Sequence, residues 1–454
     1  MACSLEEEDI STSANLTLIF SQDTVLFDTV LSARTSITKR FRITNPNENA
    51  VEFSSIRLGK GRGSDYSLII NGKDDDDLEG EVLFGGDSLL ILVEVDIDPQ
   101  DEGMPYIVKD SIIVDWNGNS AHVKLVAWGQ DANFINGQVI STSTWVSGKP
   151  YVIRNLAVID SLETLTVEAG TNILLDNGAS LLVYGTLLVK GDTANPVIIR
   201  NTRFDANYLE APGQWGGVLF METSRNNVID HAIIENGGIG LGVGYSIFET
   251  TNGATLLPEN GPSTAQVLIK NTTIRHMLTA GILAFSSEVT AVNTEVYNCG
   301  TWLVGNFAGG TYDYQHCTFS NFPSFFVLED PSFQYSNYLE LGDEILVEDL
   351  NMKISNSIIW GNNDFELASG FIEESNVILD IDNNIIRDEN EIPDNFTSVE
   401  SNFPGFLNPF AFNYQLDSVA FAIGKARSSD ILLDINEQER DDMPDIGAHE
   451  YIQK

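Results

Sequence analysis

The chain is poor in positive charge and in cysteine, and it has no long apolar run. Against 66 acidic residues stand 24 lysines and arginines, a net charge of −42. Such a field repels phosphate backbones and anionic headgroups, so nucleic acid is a poor partner, and at most weak cation binding is favoured at the surface. No stretch approaches the roughly 18–20 apolar residues that a membrane-crossing helix needs. Three cysteines, Cys3, Cys299 and Cys317, argue against a disulfide framework. Five histidines fall without metal-ligand spacing. The sequence also shows no nucleophile elbow, no phosphate-binding glycine loop and no paired-aspartate pattern of a polygalacturonase, so no cofactor or metal is expected.

What the chain does have is a recurring phrase, a small polar residue followed three positions later by an apolar one. It reads DHAI, NTTI, NTEV, HCTF, NSII and NNII, with anchors Ile233, Ile274, Val296, Phe319, Ile359 and Ile386. The spacings are 41, 22, 23, 40 and 27 residues, so a period near 22 is set and the longer intervals hold an insertion or an unmatched turn. The units are rich in Val, Ile, Thr and Asn, which favours strands over helices. The expectation is an all-β solenoid of about ten to twelve turns, some 50 Å long at about 4.8 Å between strands. Asp230, Asn271, Asn293, His316, Asn356 and Asn383 should line one corner as a ladder. Cys317 should share an inward column with Thr272, Thr294 and Ser357. In that register the two interior cysteines are offset by five residues, about 16 Å of extended chain, beyond the roughly 7 Å reach of a disulfide, so both thiols should be free.

Before the repeats, residues 16–130 alternate in short runs (LTLIF, KRFRI, VEFSSIRL, YSLII, LLILVEVDI, KDSIIVDW, HVKLVAW) broken by polar turns, the pattern of a β-sandwich. The run TKRFRITNPNENAVEFSSIRL, together with SDYSLIING, GGDSLLILVEVDIDP and VKLVAWGQ, resembles bacterial immunoglobulin-like modules, which imply a spacer between an anchor and a working domain. Asp74 to Asp77 read as a solvated hairpin tip, since consecutive carboxylates spread outward and do not converge on a cation. DIDNNIIRDENE at 380–391 fails as a calcium loop because Ile385 stands where the sharp turn requires glycine.

After a linker at 131–138, LETLTVEAGTNILLDNGASLLVYGTLLVKG and then PGQWGGVLF closely resemble the opening turns of right-handed parallel β-helix proteins, with EAGT and GTLL as the matching elements. The close of the chain, with Tyr414, Leu416, Ala422, Gly424 and DIGAHE at 445–450, resembles the carboxy-terminal segment of bacterial surface β-helix proteins, and is expected to cap the last turn. Ile423 departs from that pattern at its usual acidic place. Cys3 ahead of SLEEED resembles the acylated head of a Bacteroidota surface lipoprotein with its acidic export signal. That resemblance implies lipidation at Cys3 and display on the outer membrane. The division expected is a tether at 1–15, an Ig-like sandwich at 16–130, a right-handed parallel β-helix at 131–404 and a cap at 405–454.

Two functions from different classes compete. One is a surface lipoprotein that binds a glycan or protein partner without catalysis, or serves as an accessory subunit of an outer-membrane complex. Trp302, Tyr312, Tyr314, Phe325, Phe326 and Tyr335 are its candidate contact residues, aromatic rings being suited to stack on sugars or anchor a partner. The other is a polysaccharide lyase or hydrolase on the flank of the solenoid. There Arg275, His276, Tyr297 and Glu235, with Lys270 nearby, supply a proton-abstracting base beside a cation that neutralises a uronate.

Overall fold

A computed structural model describes residues 9–33, 36–250, 253–258, 263–322, 326, 328, 330–342, 344–388, 399 and 401–453. The fold is all-β, with three short 3-10 turns and no α-helix among these residues. It falls into two compact units, Met1–Ala132 and Asn133–Lys454.

The first unit packs a five-stranded sheet and a six-stranded sheet around one apolar core. Strand Ser88–Val95 shows how the sequence builds it: Leu89, Ile91, Val93 and Val95 are buried while the residues between them face outward. Strands pair antiparallel except where Thr24–Leu31 runs parallel to Asn119–Gln130, and an isolated parallel bridge joins Ile10 to Ala50. Sequence patterning misses Thr24–Leu31, whose alternation breaks at Asp28 and Thr29 before two successive buried residues. Asp74, Asp76 and Asp77 are exposed. Asp76 accepts the Leu68 amide at 2.7 Å and Asp75 that of Asp77 at 3.0 Å, so these carboxylates brace their own turn.

The second unit is built on one large sheet, parallel in almost all its pairings, with two separate two-stranded sheets. Each pass of the chain lays a strand on each of three faces, and each strand pairs in parallel with its counterpart from the pass before. The first face includes Val197–Asn201, Ala232–Glu235, Thr273–Met277, Glu295–Cys299, Thr318–Asn321, Ile358–Gly361 and Ile385–Ile386. The second holds Ser180–Val183, Trp215–Met221, the starts of Gly237–Thr250, Ala280–Val292 and Trp302–Gln315, then Phe333–Ser336 and Leu367–Gly370. The third includes Gln266–Lys270, the distal halves of Ala280–Val292 and Trp302–Gln315, Leu350–Ser355 and Val377–Asp382. Inward residues from all three faces form one continuous core.

The anchors Ile274, Val296, Phe319, Ile359 and Ile386 stack directly on one another, and all are buried. The first anchor is Ile234, not Ile233: Ile234 pairs with Ile274 and is fully buried, while Ile233 points away. The slip of one residue matters because strand neighbours face opposite sides. It makes His231 the counterpart of Asn271. Both long intervals are single passes carrying a hairpin, Gly237–Thr250 against Gly253–Pro258 and Tyr338–Leu341 against Glu344–Val347.

The polar corner arises from backbone conformation. His231, Asn271, Asn293, His316, Asn356 and Asn383 all have φ between 47° and 57°, the left-handed region that Asn and His enter more readily than most residues. Their side chains then bond along the stack: Asn271 to Asp230 at 3.1 Å, Asn293 to Asn271 at 3.1 Å, Asn356 to His316 at 2.9 Å and Asn383 to Asn356 at 2.8 Å. Thr272, Thr294, Cys317 and Ser357 are fully buried beside it. Cys299 and Cys317 are free thiols, and burial pushes both up to about 12.

Two expectations change. The supposed linker at 131–138 contains strand Asn133–Ile140, and Asp131 is buried in the first unit, where it accepts the Glu102 amide at 2.9 Å. The carboxy-terminal segment, expected as a cap on the last turn, reaches back over earlier passes. It lies along the side of the stack, where Leu433, Arg427 and Lys425 carbonyls receive the amides of Asn293, Asn356 and Asn383. The ladder's outer edge has spare donors across several passes, so a segment with free carbonyls satisfies more of them lengthwise than at one end.

Candidate functional site

The candidate catalytic residues stand on the first face, and the corrected register brings Glu235 into line with Arg275 and Tyr297. Glu235 accepts Arg275 Nε at 2.8 Å and lies 2.7 Å from its Nη2, while Arg275 Nη1 donates to the Tyr297 hydroxyl at 2.9 Å. The sequence reading missed Arg200, one pass earlier in the same outward column and 3.2 Å from the other Glu235 oxygen. Only the pairing of Ile199 with Ile234 reveals it. Lys270 is not a member; it faces Asp230 at 3.5 Å.

Glu235, Arg275 and Tyr297 are bonded to one another, whereas Arg200 Nε and Nη2 are buried without a partner among the described residues and a third of the Arg275 side chain is exposed. Glu235, His276 and Tyr297 are 4%, 3% and 3% exposed. Burial raises the Tyr297 phenol to about 12, with Arg275 pulling the other way. Burial, helped by Arg275, lowers His276 to about 3. Burial also weighs against the Arg275 cation, but Tyr297 and Glu235 outweigh it and hold that group above its usual range. His276 lies in strand Thr273–Met277 at a left-handed φ of 56°, where its Nδ1 accepts the Asn298 amide at 2.6 Å. Over the cluster lie Phe412, stacked 5.5 Å from Tyr297, and Tyr414, 5.1 Å from the same ring. A base on this face would be a phenol that stays protonated or an imidazole already spent on a hydrogen bond.

The remainder of the carboxy-terminal segment is bound by its own acids. Arg440 and Glu450 form a 3.1 Å pair with side chains 3% and 4% exposed. Asp445 accepts the amides of Gly424 and Tyr451, each at 2.7 Å. His449 reaches Glu295 at 3.0 Å. Asp445 thus ties the segment to itself and His449 ties it to the first face.

The aromatic candidates do not form one patch. Tyr312 and Tyr314 are core residues, 1% and 0% exposed, which corrects their assignment as contact residues, while Tyr335, 1% exposed, is inward on its strand yet borders a depression on the second face. Strand parity is the reason: Tyr312 pairs with Val289 and Tyr314 with Ala291, both inward, while Asp313 between them faces out. Tyr335 pairs with inward Asn306, which in turn bonds the Tyr314 hydroxyl at 3.0 Å. Phe326 is half-buried near Gly300, and Trp302 is half-buried 5.4 Å from Phe307. Phe325 and the acylation candidate Cys3 lie outside the described residues.

Beside Trp302 the second face opens into a depression of about 390 Å³. Above it the outward positions carry Leu182, Leu219, Leu283 and Phe285, which bury one another. Further along the same column the partners of Leu283 become Gly305, Gln334 and Ala368, and Ser336 pairs with Gly370. Loss of bulk over unchanged backbone leaves a hollow. Phe307, Tyr335 and the hairpin residues Tyr338, Leu339 and Glu340 are among its lining. A Cβ at Gly305 would meet the Phe307 ring at 2.8 Å and one at Gly370 the Tyr338 ring at 3.0 Å, so both rings lie against glycine. Phe307, Gln334, Tyr338 and Gly370 escaped sequence reading because the step from large to small is visible only once the register is known.

Among the described residues no group of three or more His, Cys, Asp or Glu converges as a metal site. No known family matches the sequence, and no characterised protein matches it. Among solved structures, the VesB protease of Vibrio cholerae is 18% identical over 25% of this chain and 31% of its own, with a TM-score of 0.18. A family 123 glycoside hydrolase from Clostridium perfringens is 8% identical over 25% of each chain, with a TM-score of 0.18. PapD-like domain 7 of human CEP192 is 12% identical over 29% of this chain and 99% of its own, again at 0.18. The chain spans less than a third of the protease, and likenesses at this TM-score carry no argument about fold or activity.

Proposed function

We propose that the chain is a non-catalytic binding protein displayed on the cell surface. In this reading Cys3 carries the lipid anchor, an Ig-like sandwich serves as spacer and a right-handed parallel β-helix presents the ligand surface. Three-faced parallel stacking with a left-handed polar corner supports the β-helix. Two sheets sharing one core support the Ig-like module. The acidic stretch behind Cys3 supports a Bacteroidota-type surface lipoprotein, with a glycan or an outer-membrane protein as partner.

The observation that carries the non-catalytic reading is the state of the Glu235–Arg275–Tyr297 cluster. Its hydrogen bonds run to one another, and Phe412 and Tyr414 lie against Tyr297. A lyase needs the opposite, an accessible base poised near working pH. The test is incubation of the full chain with uronate-rich polysaccharides, with ultraviolet absorbance reporting unsaturated ends and a reducing-end assay reporting hydrolysis. No turnover is expected, and turnover abolished by Tyr297→Phe would reverse the reading. Membrane fractionation tests the anchor: Cys3→Ser should move the protein from the detergent phase to the aqueous phase.

A further inference from the structure

We propose that the depression on the second face is a binding site for an uncharged glycan, with a sugar ring lying against Phe307 or Tyr338; this rests on reading the chain as a glycan-binding rather than a protein-binding module. Three features of the lining select that ligand. Phe307 and Tyr338, both half-buried, are in the lining, and an aromatic ring there matches the C–H face of a pyranose. In the same lining the Gln334 amide donates to the Pro331 carbonyl at 3.0 Å, the Ser336 hydroxyl to the Tyr338 carbonyl and Ser369 bonds Tyr335, so the side-chain oxygens of Gln334 and Ser336 remain as acceptors for sugar hydroxyls. Glu340 is the one charged residue among the described residues of the lining, so nothing there neutralises a uronate, a sulfate or a phosphate. With a net charge of −42 on the whole chain, an anionic polymer meets repulsion here without local compensation.

Size points the same way. About 390 Å³ sits near the low end of the ~300–1,000 Å³ typical of small-ligand clefts. A protein partner needs roughly 800 Å² of surface from each side. The hollow is also prebuilt: its floor is paired strand, and its rim hairpin is held by the antiparallel register of Tyr338 with Val347 and Leu339 with Leu346. Little ordering is then left for the ligand to impose.

The experiment is affinity electrophoresis and titration calorimetry of the full chain against neutral polysaccharides (mannans, xylans, β-glucans) and acidic ones (pectate, alginate). Wild type should bind at least one neutral glycan and no acidic one. Phe307→Ala and Tyr338→Ala should each weaken binding about tenfold or more, a loss within reach of a ring contact and its buried area. Ala368→Trp fills the floor without touching the core and should abolish binding with the melting temperature unchanged. Tyr184→Ala, on the same face but outside the hollow, should bind as wild type. Neutral-glycan binding unaffected by Phe307→Ala and Ala368→Trp would overturn the site while leaving the binding reading intact. Binding of acidic glycans alone would overturn the ligand class, and binding of no glycan would overturn this proposal and leave a protein as the partner of the broader one.

Discussion

At the scale of single residues, the corner ladder shows why Asn recurs where it does. A position held at φ near 50° strains most side chains, and Asn relieves the strain while bonding to the next pass. His316 fills the same position with a group that titrates. Its Nε2 faces the Asn356 amide at 2.9 Å and the Ser429 hydroxyl at 3.1 Å, and burial, with Arg440 nearby, lowers it to about 3. An unfolded histidine titrates near ~6.5, so below that pH the unfolded chain takes up a proton that the folded one refuses. Stability contributed by neutral His316 is therefore complete above about pH 6.5 and falls as pH drops toward 3. By pH ~5 the loss should reach about 2 kcal/mol. His316→Asn keeps the ladder chemistry and removes the titration. Denaturant melts at about pH 7 and about pH 5 should show a smaller drop for the variant; equal drops would refute the assignment.

At the scale of elements, the carboxy-terminal segment behaves as a strap along the stack. Its apolar side chains Phe406, Tyr414, Leu416 and Ile446 share a cluster with Tyr297, Ile358, Trp360 and Ile385 of the first face. Its backbone carbonyls answer the ladder amides. The Arg440–Glu450 pair holds the strap's fold, with Arg440 also donating to Asn293 Oδ1 at 3.0 Å. Arg440→Met leaves a buried carboxylate without its cation and should cost about 3–5 kcal/mol, read as a lower melting temperature and faster amide exchange across the strap. Glu450→Gln added to Arg440→Met should recover a large share, because the unpaired charge is then gone. If the double variant is no better than the single, the loss comes from packing instead.

At the scale of the whole chain, an excess of acid over base acts on stability as well as on partner choice. Like charges repel most when compact, so the folded state bears a cost that salt screens. Raising ionic strength from about 0.01 M to about 0.15 M shortens the screening length from ~30 Å to ~8 Å. The melting temperature should rise over that range and then level off, measured by calorimetry in sodium chloride. A melting temperature that falls would mean that ion pairs such as Arg200–Glu235 outweigh the net repulsion.

The sequence by itself determined what repeats locally: the β character, the period near 22, the polar corner and the unpaired thiols. Each arises from residues close in the chain, through backbone preference at Asn271 or Asn356 and through the spacing of buried anchors. Tertiary structure alone decided what depends on register and on distant segments. A one-residue shift separated Ile233 from Ile234 and carried Glu235 into the Arg275 column. Strand parity sent Tyr312 and Tyr314 inward although their aromatic character suits either side. The covering of Tyr297 by Phe412 and Tyr414 joins residues more than a hundred positions apart, and the hollow beside Phe307 is the sum of outward side chains from several passes. Pairings of that range are fixed by burial summed over the entire stack, and no local window of sequence carries that sum.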